Sequence, residues 1–207
     1  MTGEHLSVDT KALLRLLEEH RVRYLLVGGE AVIHYGYARL TGDVDLFYDR
    51  SKANAVRLYA ALRAFWKGDV PAVTSADELA ESEIVVQFGR PPNRIDLLST
   101  LGTVSFVSAW RRRVREELRD GRHRIALPII SLQDLLRSKR DAGRHKDLDD
   151  VAVLTATTRG KSPAAGGESG THSPRPREKR PDAGPGAANS RSARPRTPSR
   201  PRSSRRR

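Results

Sequence analysis

The sequence predicts an α/β domain, a small mixed β-sheet flanked by helices, followed by a tail with no fold of its own. Three observations carry this. Short apolar runs of strand length alternate with stripes at helical spacing. Asp120-Gly121 breaks the stretch from Val114 to Leu127 with a strong hairpin-turn signal. Composition then changes sharply near residue 158. Residues 159–207 hold 14 of the 38 Lys and Arg, 3 of the 25 Asp and Glu, and 8 of the 12 prolines. That leaves residues 1–158 near neutral, at +2, although the chain as a whole carries +13.

The elements follow in order. Asp9 can cap a first helix reaching Glu19, with Leu13, Leu16 and Leu17 on one face. YLLV (24–27) reads as a short buried strand running into Gly28-Gly29, and a brief helix over Glu30–Tyr35 ends at Gly36. DVDLFY (43–48) alternates as a second strand. Ala55, Leu58, Tyr59, Leu62, Phe65 and Trp66 make the stripe of the next helix. EIVVQF (83–88) and RIDLL (94–98) are two further strands, separated by Gly89 and a Pro-Pro pair. A short helix is expected over Phe106–Arg112, then the hairpin, a helix from the Ser131 cap toward Lys139, and a last helix over Lys146–Leu154.

Composition excludes several classes of function. There is no Cys, so disulfide scaffolds, zinc ribbons and thiol catalysis are excluded. The six His show no H-x-x-x-H spacing, which argues against zinc. The longest apolar run, Ile125–Ile130, is too short to span a bilayer, and MTGEHLSVDTK lacks the layout of a signal peptide. A cytoplasmic protein without membrane contact is expected. The tail's only apolar residues are alanines, so it cannot offset its chain entropy and should be disordered. Its charge suits non-specific nucleic-acid contact or mere solvation.

Three pieces carry chemistry. Asp43 and Asp45 are two apart on a strand and share a face, presenting paired carboxylates suited to Mg²⁺. Asp96 lies between Ile95 and Leu97, so its side chain points opposite to theirs. If its strand lies beside 43–48, the three carboxylates converge, and such crowding favours a cation, up to a pair of them. Gly28-Gly29 between strand and helix allows backbone N–H groups to approach a triphosphate. Together these imply phosphoryl or nucleotidyl transfer. Other conspicuous residues read more plainly: Trp66 and Trp110 as packing residues, His34 as packed or solvated, Arg111-Arg112-Arg113 as a solvated run that could also meet RNA phosphates.

VGG (27–29), DVDL (43–46) and IDL (95–97) resemble the nucleotidyltransferase superfamily of the DNA polymerase beta type. RLTGDVDLF (39–47), NRIDLLST (93–100), GTVSFVSAW (102–110) and ISLQDLLRSKRDAGRHKDLDDV (130–151) more narrowly resemble minimal nucleotidyltransferases related to AbiEii toxins of type IV toxin–antitoxin systems. The resemblance covers residues 22–154. It implies a nucleotidyltransferase fold that moves an NMP from an NTP to a hydroxyl of RNA, protein or a small molecule, with two Mg²⁺ ions and, for a toxin, an antitoxin partner. It implies that Gly28 and Gly29 hold triphosphate, that Asp43, Asp45 and Asp96 ligate metal, and that Asp96 serves as general base. Arg39 and Thr41 would support the loop or phosphates, and Lys139 would reach the nucleotide. Arg144, Lys146, Asp147 and Asp150 would form a basic-then-acidic closing motif. His145 stands where relatives often carry proline. Two other readings remain open: an inactive module of the same fold that binds a partner or acts as an antitoxin, and a nucleic-acid-binding protein acting through its tail.

Overall fold

The protein is described here by a computed structural model covering residues 6–160 except Ser82 and Pro92. The segment from 161 onward, which holds nearly all of the expected basic tail, lies outside the described residues, as do residues 1–5 at the N-terminus.

Among the described residues, six α-helices and a six-stranded mixed sheet make an α/β fold. In chain order the elements are α1 (Val8–Glu19), β1 (Tyr24–Leu26), α2 (Gly28–His34), β2 (Asp43–Tyr48), α3 (Lys52–Phe65), β3 (Val85–Phe88), β4 (Arg94–Leu98), α4 (Phe106–Arg112), β5 (Val114–Asp120), β6 (His123–Ile129), α5 (Leu132–Ala142) and α6 (His145–Gly160). Across the sheet the order is β3-β4-β2-β1-β6-β5. The centre is apolar because β1 and most of β2 bury their side chains, with Leu25, Leu26, Leu46, Phe47 and Tyr48 all nearly inaccessible. The outer strand β5 instead alternates exposed charge with buried Leu118, which discourages edge pairing.

Two strand pairings position the site. β1 and β2 run antiparallel, with Leu26 opposite Leu46, so the end of β1 meets the start of β2. β2 and β4 run parallel, with Asp43 opposite Arg94 and Asp45 opposite Asp96. Residues in register point to the same side of a sheet. Four charged side chains therefore share one face across two adjacent strands.

Several local features depart from the sequence expectation. Ser7, not Asp9, caps α1: its hydroxyl accepts from the Thr10 N–H at 3.1 Å. The helix after the glycine pair begins at Gly28 itself rather than at Glu30. In the β5–β6 hairpin Asp120 pairs with His123, leaving Gly121 and Arg122 as the turn, with Gly121 at φ 60. Gly at the first central position is what a primed two-residue turn requires. Strand β3 is shorter than expected, and a single 3-10 turn, Glu78–Ala80, precedes it with Leu79 buried. Asn54 on α3 is fully buried. Its amide donates to the Arg23 and Asp49 carbonyls and its oxygen accepts from the Arg23 N–H, tying α3 to the ends of β1 and β2.

Trp66 packs against Phe88 with ring centroids 4.3 Å apart, as expected of a packing residue. His34 sits edge-on to Tyr35, and its pKa is lowered, first by burial. No helix among the described residues is long and apolar enough to cross a membrane.

Candidate active site

Gly28 is where the first strand ends and the site begins. Its φ is 60, and a Cβ added there would collide with the Asp45 carboxylate. Glycine is thus required twice over, by backbone conformation and by the side chain that crosses it. A Cβ on Gly29 would stand 2.8 Å from the Thr41 Cβ, so the second glycine admits the 39–41 loop. Thr41 fixes that loop by donating its hydroxyl to the Asp43 carbonyl at 3.2 Å. The Gly29 N–H donates to the Asp45 carboxylate, which takes the position where the sequence reading sets a phosphate.

Asp43, Asp45 and Asp96 are brought to one face, but they are not equivalent. Burial raises the Asp45 pKa, and the neighbouring Asp96 and Asp43 charges add to this, while Lys139 opposes it. Asp96 is buried and accepts from Arg94 through both oxygens, at 2.8 and 3.0 Å, and from the Gln87 amide at 3.1 Å. The same Arg94 guanidinium reaches Asp43 Oδ2 at 2.5 Å. Asp43 Oδ1 is left buried with no hydrogen-bond partner. Arg94 was not singled out from the sequence. The R-I-D alternation carries the signal, since it places Arg94 on the face of Asp96.

A second charged cluster lies behind the first. Lys139, in the last turn of α5, donates to Asp147 and Asp150 of α6, each at 2.8 Å. Both carboxylates are only 1% exposed. Arg39 forks onto Asp150 at 2.8 and 3.0 Å, and Arg144 reaches Asp147 at 2.5 Å. Burial alone would raise the Asp147 pKa, but the bonds from Arg144 and Lys139 outweigh it and hold it below the ordinary value. Of the basic-then-acidic closing motif, Asp147 and Asp150 are thus the buried acceptors of an ion-pair network that ties the 39–41 loop to the last two helices, Arg144 joins it from the surface, and Lys146 is exposed.

The paired carboxylates line two different cavities. Asp45 borders a small one, about 90 Å³, together with Gly28, Ser138, Lys139, Arg144 and Asp147. Asp43 borders a larger one, about 310 Å³, with Ser7, Thr10, Glu30, Arg39, Thr41 and Asn93. Leu40, almost fully exposed, stands on its wall. Among the described residues no three His, Asp or Glu side chains are disposed as a ready metal-ligand set.

A glycine-opened helix facing two carboxylates on the next strand, with a third on the strand beside it, defines a domain of the nucleotidyltransferase class. Residues 4–157 match the family described as nucleotidyltransferase of unknown function (DUF6036), and the chain belongs to that family. No curated protein matches the chain.

Proposed function

We propose that the protein is an active, Mg²⁺-dependent nucleotidyltransferase that transfers an NMP from an NTP to a hydroxyl acceptor. The observation that carries this is the position of Asp43 and Asp45 between two cavities of different character. The small one, walled by the Gly28 backbone and by Lys139 and Arg144 against Asp45 and Asp147, has room for a phosphate group once a cation offsets its carboxylates. The larger one falls within the range of a small-molecule or chain-end site, roughly 300–1,000 Å³.

The residues fit a divalent cation. Asp43 Oδ1 is a buried acceptor without a donor, and Asp45 carries a charge its surroundings disfavour. Asp43 and Asp45 would hold the ion, which would neutralise phosphate charge and ease deprotonation of the acceptor hydroxyl. Asp96 joins them as third ligand or general base by exchanging its bonds to Arg94. Gly28 and Gly29 would offer their backbone to phosphate oxygens as Asp45, which now accepts from the Gly29 N–H, turns to the cation. Arg39 and Thr41 hold the loop under the larger cavity rather than reaching into solvent, and Lys139 supplies positive charge beside Asp45.

The acceptor is RNA, protein or a small molecule, and the likeness to AbiEii toxins extends the proposal to a toxin role with an antitoxin partner. The competing reading is an inactive module of the same fold. The grip of Arg94 on both Asp43 and Asp96 favours it, because an internal cation already balances the carboxylates. Incubation of the full chain with Mg²⁺, each α-labelled NTP, total RNA and cell protein separates the two. Label transfer that is lost in Asp45→Asn, with the fold intact by circular dichroism, supports catalysis. Turnover at the wild-type rate in the Asp43→Asn/Asp45→Asn double variant would remove the proposed mechanism, and no transfer together with no Mg²⁺ binding would leave the inactive module.

A further inference from the structure

At the opposite end of β1 from Gly28 lies a third cavity, about 350 Å³, that the proposed reaction does not use. Its floor is apolar, from Val22, Trp110, Leu127 and Pro128. Its walls carry four arginines, Arg21, Arg23, Arg113 and Arg115, against the carboxylates Glu18 and Glu116.

Three separate features show that this basic lining is not simply a solvated surface. Tyr24 lines the cavity, is only 3% exposed, and its hydroxyl has no hydrogen-bond partner. Burial, and then the nearby Glu18 charge, raise its pKa, so the hydroxyl stays a donor at all working pH. Arg23 pairs with Asp49 through one terminal nitrogen at 3.2 Å, yet its Nε is buried and unpartnered. Two buried donors without acceptors thus border one cavity and ask for an acceptor.

Arg113 lies flat over the Trp110 ring, 3.9 Å from its centroid, and among the described residues no carboxylate pairs with it. Burial disfavours its charged form first, and the charges of Arg115 and Arg23 disfavour it further. Like charges held together and donors without acceptors are both relieved by one thing, an anion.

We infer that this cavity binds an organic phosphate of about nucleotide size, its phosphate among Arg23, Arg113 and the Tyr24 hydroxyl and its ring system over the apolar floor. The phosphate supplies several strong acceptor oxygens for charge-assisted bonds. The apolar floor of Val22, Leu127 and Pro128 supplies contact for a base. The source is a free mononucleotide or the phosphorylated end of an RNA; both present the same chemistry. The inference stands apart from the reaction proposed above, since it uses none of its residues.

The test is calorimetric titration of the full chain in EDTA with AMP, adenosine, inorganic phosphate and a 5′-phosphorylated tetraribonucleotide. AMP is expected to bind more tightly than adenosine or phosphate alone. Arg113→Gln should weaken AMP about tenfold, and Tyr24→Phe, which leaves packing intact, about fivefold. Arg122→Gln removes the same charge from the hairpin turn outside the cavity and should change nothing. Tighter binding of the tetranucleotide, with the same dependence on Tyr24 and Arg113, assigns the site to an RNA end; equal binding assigns it to the free nucleotide. Absence of saturable AMP binding, or AMP affinity unchanged in both Tyr24→Phe and Arg113→Gln, would overturn the inference.

Discussion

Lys139 is the residue whose removal the buried network would feel most. Its ammonium is almost inaccessible and is the one cation shared by Asp147 and Asp150, which are themselves 1% exposed. Lys139→Met keeps the aliphatic stem and deletes the charge. Removing one partner of a buried ion pair costs about 3–5 kcal/mol, because the remaining charge is left uncompensated. Here each carboxylate keeps an arginine, Arg39 on Asp150 and Arg144 on Asp147, so the low end applies, about 3 kcal/mol. For a domain of this size that corresponds to a fall in Tm of about 6–12 °C. Arg144→Gln is the contrast. Its side chain is 65% exposed, and its loss should cost no more than about 1 kcal/mol.

The effect has a pH signature. Asp147 is held below its ordinary carboxylate value of 3.8, so the stabilisation it gains from Lys139 and Arg144 is complete above that value. It is lost as pH falls through the depressed value in the folded protein. Urea unfolding at neutral pH should therefore show the full gap between wild type and Lys139→Met, and the gap should narrow below the ordinary value. In an Asp147→Asn background Lys139→Met should cost less, the mark of direct coupling. A Lys139→Met protein within about 1 kcal/mol of wild type at neutral pH, or a gap that does not narrow on acidification, would refute the reasoning.

Three further outcomes follow from the site. Gly28→Ala should destabilise by more than about 2 kcal/mol in urea unfolding, since left-handed strain and a clash with Asp45 add together, whereas Gly143→Ala, left-handed but uncrowded, should cost about 1 kcal/mol. Asp45 has a raised pKa in the folded state, so wild-type stability should fall as pH rises from the ordinary value through the raised one; Asp45→Asn should be spared, and the gap in urea midpoint between them should open with pH. Arg94→Gln should bind Mn²⁺ about tenfold more tightly by calorimetry, because the guanidinium no longer competes for Asp43 and Asp96, and unchanged affinity would leave Asp96 outside the metal site.

The sequence was most legible where a local rule decides the outcome. The strands over 43–48 and 94–98 and the helix over 106–112 emerge with the expected bounds, because apolar alternation and turn residues frame them. The adjacency of β2 and β4, stated in advance only as a condition for convergence, is a tertiary fact that spacing alone does not supply. What stayed hidden follows from long-range partners. Arg94 looks like an ordinary strand-edge cation until Asp43, 51 residues away in sequence, is placed opposite it. Lys139, expected to reach the nucleotide, and Asp150, expected in the closing motif, become partners only when α5 and α6 fold onto the 39–41 loop. Ser7 displaced Asp9 as helix cap because both offer a side-chain oxygen, and only the chain's path selects between them.

The two charged clusters differ in a way that separates their roles. Asp147 and Asp150 have cations in excess: Lys139, Arg39 and Arg144 serve two carboxylates. Asp43, Asp45 and Asp96 have the opposite balance, with one arginine, Arg94, contacting two of the three carboxylates and Lys139 acting on Asp45 only through space. A network built for stability has no reason to leave Asp43 Oδ1 buried without a donor or to raise the pKa of Asp45. A network built to receive a cation does. The deficit is local, it falls on the two residues of β2 that border the cavities, and the cation-rich cluster behind it holds the loop and helices that shape those cavities. Under the proposed reaction Asp43 and Asp45 would be the working pair and Lys139, Asp147 and Asp150 their support, and the substitutions above separate the two by sign: removing the Asp45 charge should stabilise, and removing the Lys139 charge should destabilise.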